Sequence, residues 1–240
     1  MSRLKNFFRS LRNRLSSGSG PAQEQGSNTS QAAPNTAAID APRGNWLVIG
    51  LGNPGGKYAA TRHNVGYMAI DELLERHGAT LQPVRNHPAL ATTITIDGQT
   101  VILARSTTFM NESGEAVEAL AASAGLAPEQ LDRIVVIHDE LDIAPGTVRV
   151  KIGGSENGHN GLKSTTEKLG SRQYARIRMG IGRPAEGMGV IDHVLAVFEE
   201  SDSAWLETCI ITAADATALL VERGLGPTQH QIHSRPRPAT

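Results

Sequence analysis

A chain of 240 residues with 39% hydrophobic and 20% charged residues has the composition of an ordinary globular protein with an adequate core. No apolar run approaches the roughly 20 residues needed to span a bilayer, which excludes an integral membrane protein; the single cysteine, Cys209, excludes an intramolecular disulfide and points to a reducing, cytoplasmic setting. The formal charge of −1 conceals asymmetry, because residues 1–15 carry five basic side chains and no acid, and residues 149–183 carry eight against Glu156 and Glu167; such an excess can attract a polyanion.

Residues 1–15, MSRLKNFFRSLRNRL, would as a helix carry Leu4, Phe7, Phe8, Leu11 and Leu15 on one stripe opposite the basic residues. That pattern suits weak contact with an anionic membrane surface. A targeting peptide, an unstructured arm with affinity for polyanions and a dispensable extension are the alternatives. Residues 16–44 are rich in Ser, Gly, Pro, Ala, Asn and Gln and nearly lack large apolar side chains. They bury too little to offset their ordering entropy and read as a disordered linker. The folded domain is expected over 45–224, followed by a flexible tail over 225–240.

WLVIGL, from Trp46, is a continuous apolar run bounded by glycine, as expected of a strand buried on both faces. A helix follows from about Asn64 to His77, with Ile70, Leu73, Leu74 and His77 on one stripe and Gly78 as its stop. ALATTITI and QTVILARS flank Asp97-Gly98, a pair suited to the positive φ angles of a type I′ hairpin turn. A second helix, from about Ser113 to Ala124, ends at Gly125. RIVVIHDE is another buried strand, and its end delivers His138, Asp139 and Glu140. Strand TVRVKI, loop GGSENGHNG, a short helix to Leu169, strand ARIRMGIG and a long helix near Ser203–Arg223 complete the pattern. Cys209 lies in that last helix as a small buried hydrophobe. Strands alternating with helices, plus one hairpin, indicate an α/β fold: a single-domain mixed, mostly parallel twisted sheet with helices on both faces.

Gly50-Leu51-Gly52-Asn53-Pro54-Gly55 formally matches the G-x-G-x-x-G of dinucleotide sites. In such a site the helix begins inside the motif and turns its N–H groups to the pyrophosphate. Here Pro54 removes a donor, GKYAAT does not start a helix, and Asp71 and Glu72 fall inside the following helix instead of ending a second strand. No nucleotide cofactor is expected. The alternative is a set of polar side chains on the rim where strands end: Asn53, His63, Asn111, Asp139, His159 and Asn160. An imidazole can take a proton from water, a carboxylate can orient it and stabilise its cation, and amides can hold a carbonyl and the developing oxyanion. Taken singly, these residues also serve as turn formers, helix caps or ion-pair partners.

Five stretches, GLGNPGGKYAATRHNVG, TFMNESG, HDELDIAPG, GHNGLKS and RIRMGIGRP, resemble in order and spacing the signatures of the bacterial-type peptidyl-tRNA hydrolases. The resemblance covers roughly Asn45 to Gly224. It implies a monomeric single-domain α/β enzyme without metal or cofactor. The implied reaction is hydrolysis of the ester between a peptide and the 3′ ribose of tRNA, which recycles tRNA from chains that leave the ribosome early. By the same resemblance His63 is the catalytic histidine, Asp139 its support, and Asn53, Asn111 and Asn160 position substrate and water. Tyr58 and Met110 line the cleft near the tRNA 3′ end and the peptide, with His159 also on the substrate side. Lys151 and Arg178 grip tRNA phosphate.

Two features depart from the family pattern. Ser155-Glu156-Asn157 stands where a glycine-dominated run is usual, and an amino-terminal extension of about 44 residues precedes the domain. Two rival readings remain at this level. A metallohydrolase using His63, His138, Asp139 and His159 lacks any H-x-x-x-H or H-E-x-x-H pairing. An RNA-binding protein without activity would not need His63, Asp139 and three asparagines together.

Overall fold

The structure is a computed structural model and describes residues 37–236. The expected amphipathic segment 1–15 lies outside the described residues, as does most of the linker. Seven strands form one sheet in the order β2-β3-β4-β1-β5-β7-β6. They are β1 (Trp46–Gly50), β2 (Gln82–Pro83), β3 (Ala89–Ile96), β4 (Gln99–Ser106), β5 (Ile134–Glu140), β6 (Val148–Ile152) and β7 (Ala175–Gly180). The central four, β4-β1-β5-β7, are parallel, and antiparallel strands flank them on both sides.

Two apolar layers explain why the central strands read as unbroken apolar runs. On one face Val48, Leu103, Val135, Ile137 and Ile177 meet α1 (Val65–His77) and the long helix α5 (Ser203–Arg223). On the other, Leu47, Ile49, Ile102, Ile134 and Val136 meet α2 (Ser113–Ala124) and Leu162 of α3 (Asn160–Leu169). Alternate residues of β1 and β5 thus serve opposite cores. Helices α1, α2 and α3 all stop at a glycine in the left-handed region, Gly78, Gly125 and Gly170. Asp97 and Gly98 both adopt positive φ, 47° and 72°, as the hairpin reading requires.

The glycine motif has a packing purpose. A Cβ on Gly50 would lie 2.3 Å from the carbonyl oxygen of Gly66, and one on Gly66 would lie 2.3 Å from that of Ile137. The first turn of α1 therefore presses directly on the ends of β1 and β5, a contact only glycine allows.

Four expectations need correction. The chain after Gly224 is not a flexible tail: Leu225–His233 is a helix, α6, whose Gln229 and His233 bond the main chain of Val150 in β6. The linker ends before residue 44, because Ile39 bridges Val84, accepts from the Arg85 N–H and donates to Pro83. A six-residue helix, α4 (Val190–Leu195), was not expected between β7 and α5. Helix α5 is long and apolar enough to cross a membrane by length and composition, which the sequence reading denied of any segment. It is the core helix of the domain: Trp205, Leu206, Cys209, Ile210 and Leu220 are buried, and burial pushes the Cys209 thiol up to about 12.

Candidate active site

The site forms at the carboxyl ends of the parallel strands, where an open α/β sheet leaves its crevice. Asp139 comes from the last residues of β5 and is only 3% exposed. His63 comes from a single helical turn, Arg62–Asn64, immediately before α1. His159 is the residue that caps α3, and Asn160 is the first residue of that helix. Met110 and Asn111 stand on the turn that leads into α2.

These elements converge on one oxygen. Oδ1 of Asp139 accepts from Nδ1 of His63 at 2.9 Å and from Nε2 of His159 at 2.9 Å. The two imidazole rings lie 5.0 Å apart. Burial opposes ionisation of Asp139, but the two histidines overcome it and hold the carboxyl well below its ordinary range. Burial likewise disfavours a charged His63, yet the Asp139 charge and hydrogen bond prevail and raise it. With Nδ1–H directed at Asp139, the remaining nitrogen of His63, Nε2, carries the lone pair. His63, Asp139, Asn157, His159 and Asn160 line a cavity of about 320 Å³, closed on one side by Val190, Ile191 and Val194 around α4.

Asn53 is held from three sides. Its Oδ1 accepts from the Met110 N–H at 2.9 Å, its own N–H donates to Asn64 Oδ1 at 2.9 Å, and its carbonyl accepts from Asn64 Nδ2 at 2.9 Å. That leaves the Asn53 side-chain amide as its donor group. Asn64 is almost fully buried and was missed in the sequence, where an asparagine before a helix reads as a cap. Its only signal is its place beside His63. Asn53, Tyr58, Met110 and Asn111 are not among the residues lining the cavity of His63; Asn53 is tied to the His63 turn by Asn64, and Met110 to Asn53. The Tyr58 ring packs edge-on to Phe109, centroids 6.4 Å apart. The turn that carries His63 is also tied to the chain after α4: Thr61 bridges Val197, and Arg62 donates to the Val197 carbonyl at 3.0 Å and to Asp202 at 2.9 Å.

The basic segment is smaller than its sequence count suggests. Arg176 is fully buried, donating to the Ser155 and Gly154 carbonyls at 2.8 and 3.0 Å. Arg172 pairs with Glu156 at 2.7 Å, and Arg178 pairs with Glu140 at 3.0 Å. Lys151 is half-buried; burial and then Arg178 and Arg176 lower its amine from the ordinary value. The Arg172 hydrogen bond holds the Glu156 carboxyl down at about 2. Glu156 is buried and turned to this arginine.

One ligand atom from each of His63, Asp139 and His159 lies within 4.8 Å of the others, a spacing that distance alone would allow a metal ion. The chemistry of the donors does not fit. His159 Nδ1 accepts from the Leu162 N–H at 3.3 Å, so its Nε2 is the N–H that faces Asp139. His138 is fully turned inside, and its Nδ1 donates to the Asp139 carbonyl at 2.7 Å. The three histidine nitrogens that face Asp139, namely His63 Nδ1, His159 Nε2 and His138 Nδ1, act as donors to it and do not turn lone pairs toward a common point.

Residues 47–239 match the family model described as peptidyl-tRNA hydrolase. The chain is 52% identical over 194 residues to "Peptidyl-tRNA hydrolase 2" of Corynebacterium jeikeium, covering 79% of this chain and 80% of that protein. It is 50% identical over 195 residues to the protein of the same name in Corynebacterium glutamicum, covering 81% and 90%. Among solved structures, the peptidyl-tRNA hydrolase of Acinetobacter baumannii superposes with a TM-score of 0.74 at 33% identity, over 82% of this chain and 99% of that one. The family match runs through α6, in keeping with its being part of the folded unit. With the family model matching residues 47–239 and relatives about half identical over most of the chain, the chain belongs to the peptidyl-tRNA hydrolase family.

Proposed function

We propose that the chain hydrolyses peptidyl-tRNA at the ester between the peptide's terminal carboxyl and the 3′ ribose, returning tRNA from abandoned translation. The observation that carries this reading is the His63–Asp139 pair, with Nε2 of His63 left as the lone pair in the cavity. In the proposed step, Nε2 takes a proton from water while the water oxygen attacks the ester carbonyl. Asp139 stabilises the imidazolium that forms. The amides of Asn53, Asn111 and Asn160 hold the carbonyl and its developing negative charge. Collapse of the tetrahedral intermediate breaks the bond to the ribose oxygen, and His63 returns the proton to that oxygen.

Lys151 and Arg178 are proposed to meet tRNA phosphates, positioning the acceptor end without reading base sequence. Tyr58 and Met110 flank the acceptor end and peptide. Action as a monomer is part of the proposal, and the single buried cysteine supports a reducing compartment, the cytoplasm. Residues 1–15 are proposed to touch an anionic membrane surface weakly. The deciding experiment is release of free peptide from N-acetyl-aminoacyl-tRNA by the purified protein. Tight tRNA binding without release would leave an RNA-binding protein in place of the enzyme.

A further inference from the structure

His159 makes a contact the reaction does not require of a substrate-binding residue. Its Nε2 and the Nδ1 of His63 donate to the same oxygen, Asp139 Oδ1, each at 2.9 Å. Its other nitrogen accepts from the Leu162 N–H at 3.3 Å, capping α3. Both ring nitrogens are therefore engaged inside the protein, and the tautomer is fixed as Nε2–H. A proton on Nδ1 would face a main-chain N–H and remove the cap. The ring is further set by the edge of His138, centroids 5.0 Å apart.

Two donors on one carboxylate oxygen divide its charge. An aspartate serving His63 alone would stabilise the imidazolium more strongly and keep the base protonated to higher pH. A second donor on the same oxygen lowers that pull. The charged and titratable groups around this junction are His63 from the turn before α1, His138 and Glu140 from β5, and Arg176 of β7 acting on His138. Asp142 and Arg183 stand on the cavity rim.

We propose that His159 is a positioning residue and not a substrate contact: it shares Asp139 Oδ1 with His63, so that the base is aligned without the carboxylate's full pull, and through its cap it fixes the first turn of α3 that carries Asn160. This rests on the hydrolase reading above, in which His63 is the base.

Two isosteres separate the two bonds. His159→Gln places an amide N–H near the former Nε2 and can keep the Asp139 bond, while losing the cap. His159→Asn keeps an acceptor for the Leu162 N–H but is too short to reach Asp139. The expected result for His159→Asn is an acid limb of kcat moved about one pH unit upward, which is about a tenfold change in the fraction of free base. KM for N-acetyl-aminoacyl-tRNA stays within about twofold, as expected when ground-state binding is untouched. His159→Gln retains the wild-type acid limb. A KM raised tenfold in His159→Asn with an unmoved pH profile would make His159 a substrate contact and overturn the proposal; so would the same displaced profile in both variants. Nitrogen-15 NMR of the wild-type imidazoles supplies a measurement that needs no variant: Nδ1 of His159 is expected as an acceptor with the proton on Nε2, and an Nδ1–H tautomer overturns it. The hydrolase reading fails separately, through undiminished hydrolysis by a folded His63→Ala protein.

Discussion

Asn64 grips Asn53 by both of its main-chain polar groups, accepting the N–H and donating to the carbonyl, each at 2.9 Å. Since Asn64 directly follows His63, this clamp sets the distance between the proposed base and the proposed oxyanion donor. Asn64→Ala leaves a buried donor and acceptor without partners, each worth about 1–3 kcal/mol. We expect a lower Tm and a fall in kcat of at least about tenfold, since small displacements of positioned groups cost that much or more. Thermal unfolding and peptide release measured together check this; an unchanged kcat in a destabilised protein would reduce the clamp to a structural tie.

His63→Ala should lower kcat by about 10²–10⁴, the usual worth of a positioned acid-base group, with the fold intact. Circular dichroism and single-turnover peptide release are the measurements.

The raised His63 also sets the pH dependence. Despite its burial, the Asp139 charge moves the imidazole above its ordinary value of 6.5, and the base form is the neutral one. Activity is therefore lost as pH falls through a value above 6.5, and the acid limb of kcat/KM should have its midpoint there. The stability contributed by the charged pair has the opposite sense: it is full below the unfolded histidine value and lost as pH rises through the folded one. A kcat/KM midpoint at or below 6.5 would contradict the proposed pairing.

Lys151 and Arg178 should not respond alike. Lys151→Ala should weaken tRNA binding and flatten its salt dependence by about one phosphate contact, with kcat unchanged at saturation. Arg178 already answers Glu140, a carboxylate only 5% exposed on the wall of the cavity. Arg178→Ala therefore removes the countercharge of that carboxylate, leaving it only the Asp142 N–H and the Asn157 amide, and the expected loss extends to Tm and to kcat. Salt titrations of tRNA affinity, with Tm for each variant, distinguish the two. Equal salt slopes in wild type and Lys151→Ala would mean that Lys151 meets no phosphate.

The amino-terminal boundary predicts a difference between two truncations. Removing residues 1–36 leaves Ile39 in its bridge to Val84, so Tm should stay within experimental error. Removing 1–44 deletes the Ile39 main-chain bonds and the packing of Ile39 and Ala41 on the core beside α2. A loss of about 1–2 kcal/mol is expected, or a few degrees in Tm for a domain of this size. Neither truncation touches a site residue, so both should release peptide at the full-length rate, and both should lose any flotation with anionic vesicles at low salt.

What could be read in the sequence follows from where each element draws its stability. WLVIG and IVVIH are buried on both faces, so their pattern is continuous and their place in the sheet plain. Gly78, Gly125 and Gly170 end their helices through backbone geometry that any sequence reader can anticipate. The ends of the strands and the helix starts place His63 and Asp139 on the rim, and the motif resemblance gives their roles; no local pattern predicts that His159 meets the same oxygen. Asn64 looked like a helix-start residue because its two bonds run to a residue eleven positions away. Helix α6 was missed because LGPTQHQIH has a weak apolar stripe, with only Thr228 and Ile232 buried, and its anchors are polar bonds to a distant strand. Six residues between glycine and alanine, as in α4, give periodicity too little length to show.

Those polar anchors of α6 protect more than the chain terminus. β6 is the last strand of the sheet, and an outer strand offers a ladder of unpaired N–H and C=O groups to any neighbouring chain. His233 accepts the Val150 N–H and Gln229 donates to the Val150 carbonyl, each at 2.9 Å, so two side chains occupy the rung that an incoming strand would use. The helix thereby acts as a guard against edge-to-edge association. A chain ending at Gly224 would keep every proposed site residue, yet present an open strand to its own copies and self-associate through β6 as its concentration rises.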